Sequence, residues 1–268
     1  MPPHAAIIHP SQTIVQRKTQ RFGWLPDLPD ARDHLFSADA QVLAALPRRV
    51  DLSGHCPPVY TQGHLGACTA NVLAAAIEFD QRKQGWAEVF TPSRLFIYYN
   101  ERVIENSVGS DSGAMMRDGI KSIAHYGACP ESLWPYDLAK FKRRPSVRCY
   151  TVARRHRAVR YKKIPRNLAQ MKGCLAASYP FAFGFTAHAS IESSAVARSG
   201  EVPMPTAGDR PVGGHAALAV GYDDAKQVFF ARNSWGPKWG RRGYFTIPYL
   251  YLHEAQLASD FWTVRLVQ

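Results

Sequence analysis

The sequence predicts an α+β chain in which a mainly helical segment precedes a mainly antiparallel β segment. Three observations carry this. Apolar residues recur with helical period between residues 68 and 127. After residue 180 the chain turns to short runs of alternating aromatic and small residues, cut by Gly, Pro and Asp. Before residue 47 it is rich in Pro and polar residues and fits neither pattern.

The elements follow in order. Residues 1–46 read as an extension. Its stretch GWLPDLPDARD repeats a Leu-Pro-Asp unit that cannot sit inside a helix or a sheet, so it is expected to lie extended across a surface, with Trp24, Leu25 and Leu28 as anchors. From Cys68 to about Lys83, Val72, Leu73, Ala76, Ile77 and Phe79 fall on one helical face, and Gly85 follows as a stop. SRLFIYYNERVIE (93–105) predicts a second helix with Thr91 or Ser93 at its start. AMMRDGIKSIAHYG predicts a third that ends on Gly127. CPESLWPY reads as a loop. A further helix begins near Asn167, where Leu168, Met171 and Leu175 share a face with Cys174. FAFGF (181–185), AALAVGY (216–222), QVFFAR (227–232) and GYFTI (243–247) read as strands. The domain boundaries expected are 1–46 for the extension, 47–150 for a mainly helical lobe and 151–268 for a mainly β lobe, the last two forming one domain.

Composition narrows the function. No apolar run approaches a membrane span, and the N-terminus lacks the charged start and long apolar stretch of a secretory leader. The expectation is a cytoplasmic chain, or one exported by a route that leaves no such mark, and a monomer. Cys56, Cys68, Cys129, Cys149 and Cys174 form no CxxC pair and no zinc-like spacing, so no metal or cofactor is expected. The net charge of +12 is local. Residues 140–166 carry 12 Lys and Arg with no acid. This stretch reads as a solvated basic connector rather than a nucleic-acid surface, since no nucleic-acid module accompanies it.

The chemistry gathers around Cys68, in QGHLGACTAN. A cysteine attacks as the thiolate, which a free thiol supplies poorly at neutral pH. A helix N-terminus and a neighbouring imidazole both favour the thiolate. Cys68 opens a predicted helix. His215, in VGGHAALAVGY, sits at a strand start behind two glycines. If the strands 216–222 and 227–232 pair as a hairpin, Asn233 meets His215 and can accept from one ring nitrogen, leaving the other to face the thiol. Trp235 could cover that bond. Gln62, six residues before Cys68, could supply an amide to a developing oxyanion.

These residues, in this order, resemble the papain-like cysteine peptidases. The resemblance rests on QGHLGACTAN, GGHAALAVGY and RNSWGPKWGRRGYFTI, with GACPESLWPYD as a supporting loop, and covers roughly residues 47–268. It implies a two-lobe fold, a helical lobe and an antiparallel β-barrel-like lobe with the active-site cleft between them. It implies Cys68 as nucleophile, His215 as general acid and base, Asn233 as its orienting partner and Gln62 in the oxyanion hole. Ser112 and Gly113 correspond to the stretch that pairs with substrate backbone, and Gly66, which with Gly63 lets the chain fold back before Cys68, is a further substrate-binding candidate. Ala114, Met115, Gly184, Gly214 and Ser259 map near a side-chain pocket, with Trp235 beside the histidine. No acid maps to that pocket, so an apolar or aromatic preference is expected.

The departures from the family pattern also carry expectations. Leu65 stands where a structural cysteine is usual, and no cysteine lies near Ser112 to pair with it. Thr69 replaces a bulky aromatic. The extension is too short for the family's long helical propeptide, which suggests a built-in blocker lying along the cleft, as in a zymogen. The alternative is a structural strap on the back of a lobe. The reaction expected is peptide hydrolysis through an acyl-enzyme, as an endopeptidase. A thiol acyltransferase or isopeptidase on the same residues, or a non-catalytic binding protein, are the competing readings.

Overall fold

In the computed structural model of the chain, residues 22–156 and 159–266 are described. Residues 1–21 of the predicted extension and two residues of the basic stretch lie outside them. In chain order the elements are β1 (Trp24–Leu25), α1 (Ala40–Ala44), β2 (Arg49–Asp51), α2 (Cys68–Lys83), α3 (Arg94–Ile104), β3 (Ala114–Met115), α4 (Met116–Tyr126), α5 (Val147–Ala153), β4 (Val159–Lys163), α6 (Leu168–Ala176), β5 (Phe181–His188), α7 (Ser194–Ser199), β6 (Pro211–Asp223), β7 (Val228–Arg232), β8 (Tyr244–Pro248), α8 (Tyr249–His253) and β9 (Ala258–Leu266).

α2 is the axis of the molecule. Its residues from Cys68 to Gln81 are all buried. It packs between α3 and α4 on one side and β5, β6 and β9 on the other. A helix enclosed on all sides needs partners for its polar groups. Glu78 accepts from the Tyr60 hydroxyl at 2.5 Å and from Arg82 at 2.9 Å. Asp80 accepts from the Leu266 N–H at 2.7 Å, which ties the last residue of β9 to this helix. α3 begins at Ser93, whose side chain accepts from the Phe96 N–H, and α4 stops at Gly127 with φ of 88°. Both ends were legible in the sequence.

The β lobe is a seven-stranded sheet with the path β4-β9-β5-β6-β7-β8, while β2 pairs with β6. It does not close: β4 and β8 sit at opposite ends of the path, so the barrel-like lobe expected is an open, curled sheet. β2 also carries residues 49–51, placed by the sequence with the helices, onto the sheet. A three-residue strand is too short to display alternation.

The basic stretch is more ordered than a connector. Pro145, Cys149 and Ala153, four residues apart, are buried beneath α5, and β4 pairs antiparallel with β9. The run of charge hid this spacing. Ala114 and Met115, assigned to the start of a helix, form β3 instead. β9 lacks a strong turn signal before it and was not foreseen.

The core of the sheet is aromatic. Phe181 on β5 is fully buried, with Phe183, Phe229 and Phe261 at 6.2, 5.9 and 6.3 Å between ring centroids. Phe181→Ala is expected to destabilise the fold by about 3–5 kcal/mol, measured as a lowered urea midpoint with unchanged slope.

Candidate active site

The β6–β7 pairing does what the sequence required of it. Leu218 lies opposite Arg232, so His215 and Asn233 fall at the same end of the hairpin. His215 Nε2 lies 2.8 Å from Asn233 Oδ1. The same oxygen accepts from the Ser234 N–H at 2.8 Å, and the Asn233 N–H donates to the Gly243 carbonyl at 2.9 Å. With its amide oxygen held by two donors, Asn233 fixes the imidazole through Nε2. Trp235 covers the pair, its ring centroid 4.7 Å from that of His215 at 35°, while Phe185 meets the imidazole edge-on at 5.6 Å.

Gln62 is fixed to the same turn. Its Oε1 accepts from the Ser234 hydroxyl at 2.6 Å, its N–H donates to the Ser234 carbonyl at 2.8 Å, and its Nε2 donates to the Leu65 carbonyl at 2.8 Å. Ser234 therefore joins the Asn233 turn to the loop that leads into Cys68. The sequence reading missed Ser234, whose only signal was its place beside Asn233. Cys68 is buried as the first residue of α2, and the residue before it, Ala67, supplies no side-chain cap. The first turn of α2 contains no acid, and a helix N-terminus favours a thiolate. Thr69 is no loose replacement for an aromatic: its hydroxyl donates to Glu101 Oε2 at 3.0 Å within the core. Burial holds the Glu101 carboxyl well above its ordinary range.

Residues 22–25 lie in the cleft. β1 pairs parallel with β3, Trp24 opposite Ala114 and Leu25 opposite Met115. The Ala114 N–H donates to the Gly23 carbonyl at 2.8 Å. A Cβ on Gly23 would come within 1.9 Å of the Gly66 carbonyl oxygen, and one on Gly113 within 2.1 Å of the Gly23 oxygen. The Phe22 ring packs edge-on against His215 at 5.9 Å and Trp235 at 5.7 Å. Trp24 fills the side-chain pocket, where a Cβ on Gly184 would come within 1.9 Å of its indole and one on Gly214 within 2.2 Å of its carbonyl oxygen. Gly66, Gly113, Ala114, Met115, Gly184, Gly214 and Trp235 thus all border this segment or pair with it. Ser112 differs, for its hydroxyl turns to Ser107 Oγ at 2.9 Å and the Gly113 carbonyl at 3.0 Å. Leu28 is not an anchor, being 65% exposed; Phe22, fully buried, takes that place.

The pocket does contain an acid, against the sequence expectation. The Trp24 Nε1–H donates to Asp260 Oδ2 at 3.1 Å. Ser259, the residue singled out, pairs with Gly184, and the β5–β9 register shifts between Ala182 and Gly184. Asp260 adopts φ of 56° at this irregularity. The bulge re-aims the next side chain into the pocket, which strand alternation alone could not reveal. Asp260 Oδ2 also accepts from the Asp27 N–H at 2.8 Å. The Asp27 carboxylate accepts from the Arg117 N–H at 2.9 Å and the Trp262 indole at 2.8 Å. Burial, and then the charge of Asp260, push the Asp27 carboxyl up to about 7. Burial also raises Asp260.

Among the described residues there is no cluster of His, Cys, Asp and Glu suited to a metal ion, and no helix long and apolar enough to cross a membrane. All five cysteines are free thiols.

Comparison with known proteins agrees with this geometry. The family described as papain family cysteine protease matches residues 46–262. A protein of Acanthamoeba polyphaga mimivirus, described as an uncharacterized peptidase C1-like protein, is 38% identical over 93% of this chain and 88% of its own. The structure of xylellain, a cysteine protease from Xylella fastidiosa, superposes with a TM-score of 0.88 at 43% identity, covering 94% of this chain and 98% of that one. Chymopapain from Carica papaya is 26% identical over 75% of this chain, which spans 54% of that relative's length.

Cys68 is fully buried, with Phe22 packed on His215 and Gly23 against Gly66, two residues before the thiol. Replacing Phe22 and Trp24 by alanine is expected to raise the rate of iodoacetamide labelling at Cys68 by about tenfold or more, while buried Cys129, Cys149 and Cys174 stay unlabelled in the folded protein. Peptide mapping by mass spectrometry reads both.

Proposed function

The chain belongs to the papain family of cysteine proteases, and from that premise we propose that it is an endopeptidase whose N-terminal extension occupies and blocks its own cleft. The observation that carries the first half is the Nε2···Oδ1 bond between His215 and Asn233 at 2.8 Å, which supports a role for Nδ1 toward the thiol. The second half is carried by residues 22–25, threaded between Gly66 and Gly113 on one side and Gly184 and Gly214 on the other.

In the proposed reaction the Cys68 thiolate, paired with the His215 imidazolium, attacks the scissile carbonyl carbon. A C–S bond forms as the carbonyl electrons move to oxygen. That oxyanion takes hydrogen bonds from the Gln62 amide and from the backbone N–H of Cys68 at the start of α2. His215 Nδ1 gives its proton to the amine, the C–N bond breaks, and an acyl-enzyme remains. Water then loses a proton to Nδ1 as its oxygen attacks the thioester, and the sulfur leaves as thiolate. Asn233 keeps the imidazole oriented throughout, with Trp235 excluding water from their bond. The fixed carbonyl–amide bonds from Gln62 to Ser234 and Leu65 support its role, because a pre-oriented donor needs no reorganisation when charge develops.

Trp24 points to the substrate side chain that the pocket takes. A large ring fills the space between Gly184 and Gly214, and Asp260 at its end accepts a hydrogen bond. The pocket therefore favours an aromatic group with a donor at its tip over one without.

Three measurements test this reading. Hydrolysis of fluorogenic peptides by a chain lacking residues 1–45, or carrying the Phe22→Ala/Trp24→Ala pair, should exceed that of the intact chain. Cys68→Ala should abolish it, and Asn233→Ala should lower kcat by about 10²-fold or more. Equal hydrolysis by the intact chain and by folded variants with an emptied cleft would remove the blocking role. Persistence of turnover in Cys68→Ala would remove the peptidase assignment. Mass spectrometry with an added primary amine separates hydrolysis from acyl transfer. A tryptophan peptide should exceed its phenylalanine counterpart in kcat/KM by about tenfold, and Asp260→Leu should erase that ratio.

Docking of the extension should also depend on pH. Free in solvent, Asp27 has an ordinary carboxyl pKa; docked, it is raised to about 7. The docked form binds more protons between these values, so docking weakens as pH rises from about 4 to about 7. The groups that face the Asp27–Asp260 pair are Arg117 on α4, Glu105 just after α3, Lys163 on β4 and Arg166 before α6. Limited proteolysis of residues 22–35 should be faster at pH 8 than at pH 5 after correction for protease activity, and Asp27→Asn should flatten the difference.

A further inference from the structure

On the helical side the cleft is walled by two backbone stretches, the loop carrying Gly66 and the segment Gly113–Met115. No disulfide joins them, since every cysteine is free. Both meet one hydrogen-bonded pair of side chains, Asp111 and Tyr98. Asp111 accepts from the Gly66 N–H, with Oδ1 at 3.0 Å and Oδ2 at 3.2 Å. Oδ1 also accepts from the Tyr98 hydroxyl. The oxygen of that hydroxyl in turn accepts from the Gly113 N–H at 3.2 Å. Behind them stands Arg102, fully buried, its guanidinium 4.0 Å from the centroid of the Tyr98 ring. Arg102 Nη1 donates to the carbonyls of Val108 and Ser110 at 3.1 and 2.9 Å. A buried cation thus shapes the loop that presents Asp111.

These bonds decide which way the peptide groups face. With the Gly66 N–H held by Asp111, the Gly66 carbonyl is left on the cleft side, facing Gly23 so closely that a Cβ on residue 23 would lie 1.9 Å from its oxygen. With the Gly113 N–H held by Tyr98 and Gly113 itself at φ of 80°, a conformation that suits glycine, the chain turns before the next N–H. That group, from Ala114, donates to the Gly23 carbonyl at 2.8 Å.

We propose that Asp111 and Tyr98 are positioning residues that set the polarity of the cleft's backbone edge, turning the Gly66 carbonyl and the Ala114 N–H toward whichever chain occupies the cleft. The occupant is the extension in the resting protein. On the peptidase reading it is the substrate during turnover. Neither residue touches the reacting atoms. They act through Gly66 and Ala114, the acceptor and the donor that an incoming backbone needs. A carboxylate suits the task because it accepts from two directions at once and binds each donor more strongly than a neutral oxygen.

The test uses the full-length chain and needs no turnover. Amide hydrogen exchange, resolved by mass spectrometry, is compared in wild type, Asp111→Leu, Tyr98→Phe and Asp111→Asn. In the first two variants, exchange in residues 22–25 and 112–115 should rise by about tenfold or more, while β5 and the second half of α2 keep wild-type protection. Asp111→Asn, whose amide oxygen can still accept from the Gly66 N–H, should recover part of the protection, which a loss of bulk packing would not produce. Unchanged exchange at 22–25 and 112–115 in both Asp111→Leu and Tyr98→Phe overturns the proposal. So does equal acceleration in β5, which would mean general destabilisation. A chain that hydrolysed no peptide would remove the peptidase reading and leave this result standing.

Discussion

The hydrogen bond between His215 Nε2 and Asn233 Oδ1, at 2.8 Å, is the contact on which the rest of the site depends. It exists because β6 and β7 pair in a register that brings both residues to one end of the hairpin. Asn233 could not hold the ring alone. Its oxygen is fixed by the Ser234 N–H, Ser234 is fixed by Gln62, and Gln62 reaches back to Leu65 in the loop before Cys68. One continuous set of bonds thus runs from the β sheet to the start of α2. Trp235 and Phe185 bracket the imidazole, and a polar bond sheltered from water is stronger than an exposed one.

The cleft that this arrangement serves is already filled. On the proposed reading, residues 22–25 meet the surfaces that a peptide would meet: the backbone edge at Ala114, the glycines at the pocket mouth and the apolar ground beside His215. Two large aromatics, Phe22 and Trp24, anchor the segment, and Gly23 passes between them where the Gly66 and Gly113 backbones leave no room for a side chain. Asp27 fixes the exit of the segment against Arg117, Trp262 and Asp260.

Much of this was legible in the residues. Helical period announced α2, α3 and α4; Ser93 and Gly127 announced their ends. The strands bearing His215 and preceding Asn233 showed by their alternation and by the glycines around them. What escaped notice did so for physical reasons. Asp260 enters the pocket through a register shift between β5 and β9, and alternation predicts the wrong neighbour at a bulge. α5 was hidden because three small buried residues at every fourth position are inconspicuous within a run of arginines. Asp111 and Tyr98 belong to separate elements whose meeting only the folded chain reveals. Leu65 had signalled that a covalent tie was missing, and the Asp111 carboxylate now occupies the corresponding junction between the two loops. Phe22 stood one residue outside the stretch whose Leu-Pro-Asp repeat attracted attention.

The account stands or falls on the charge state of one sulfur. The most direct measurement is the rate of alkylation of Cys68 as a function of pH in the Phe22→Ala/Trp24→Ala variant, with and without His215→Ala. With the imidazole present, the account predicts rapid labelling that persists below about pH 6, and with it removed a rise only near the ordinary thiol range of about 8.5. Identical profiles in the two proteins, both rising near about 8.5, would contradict a thiolate–imidazolium pair.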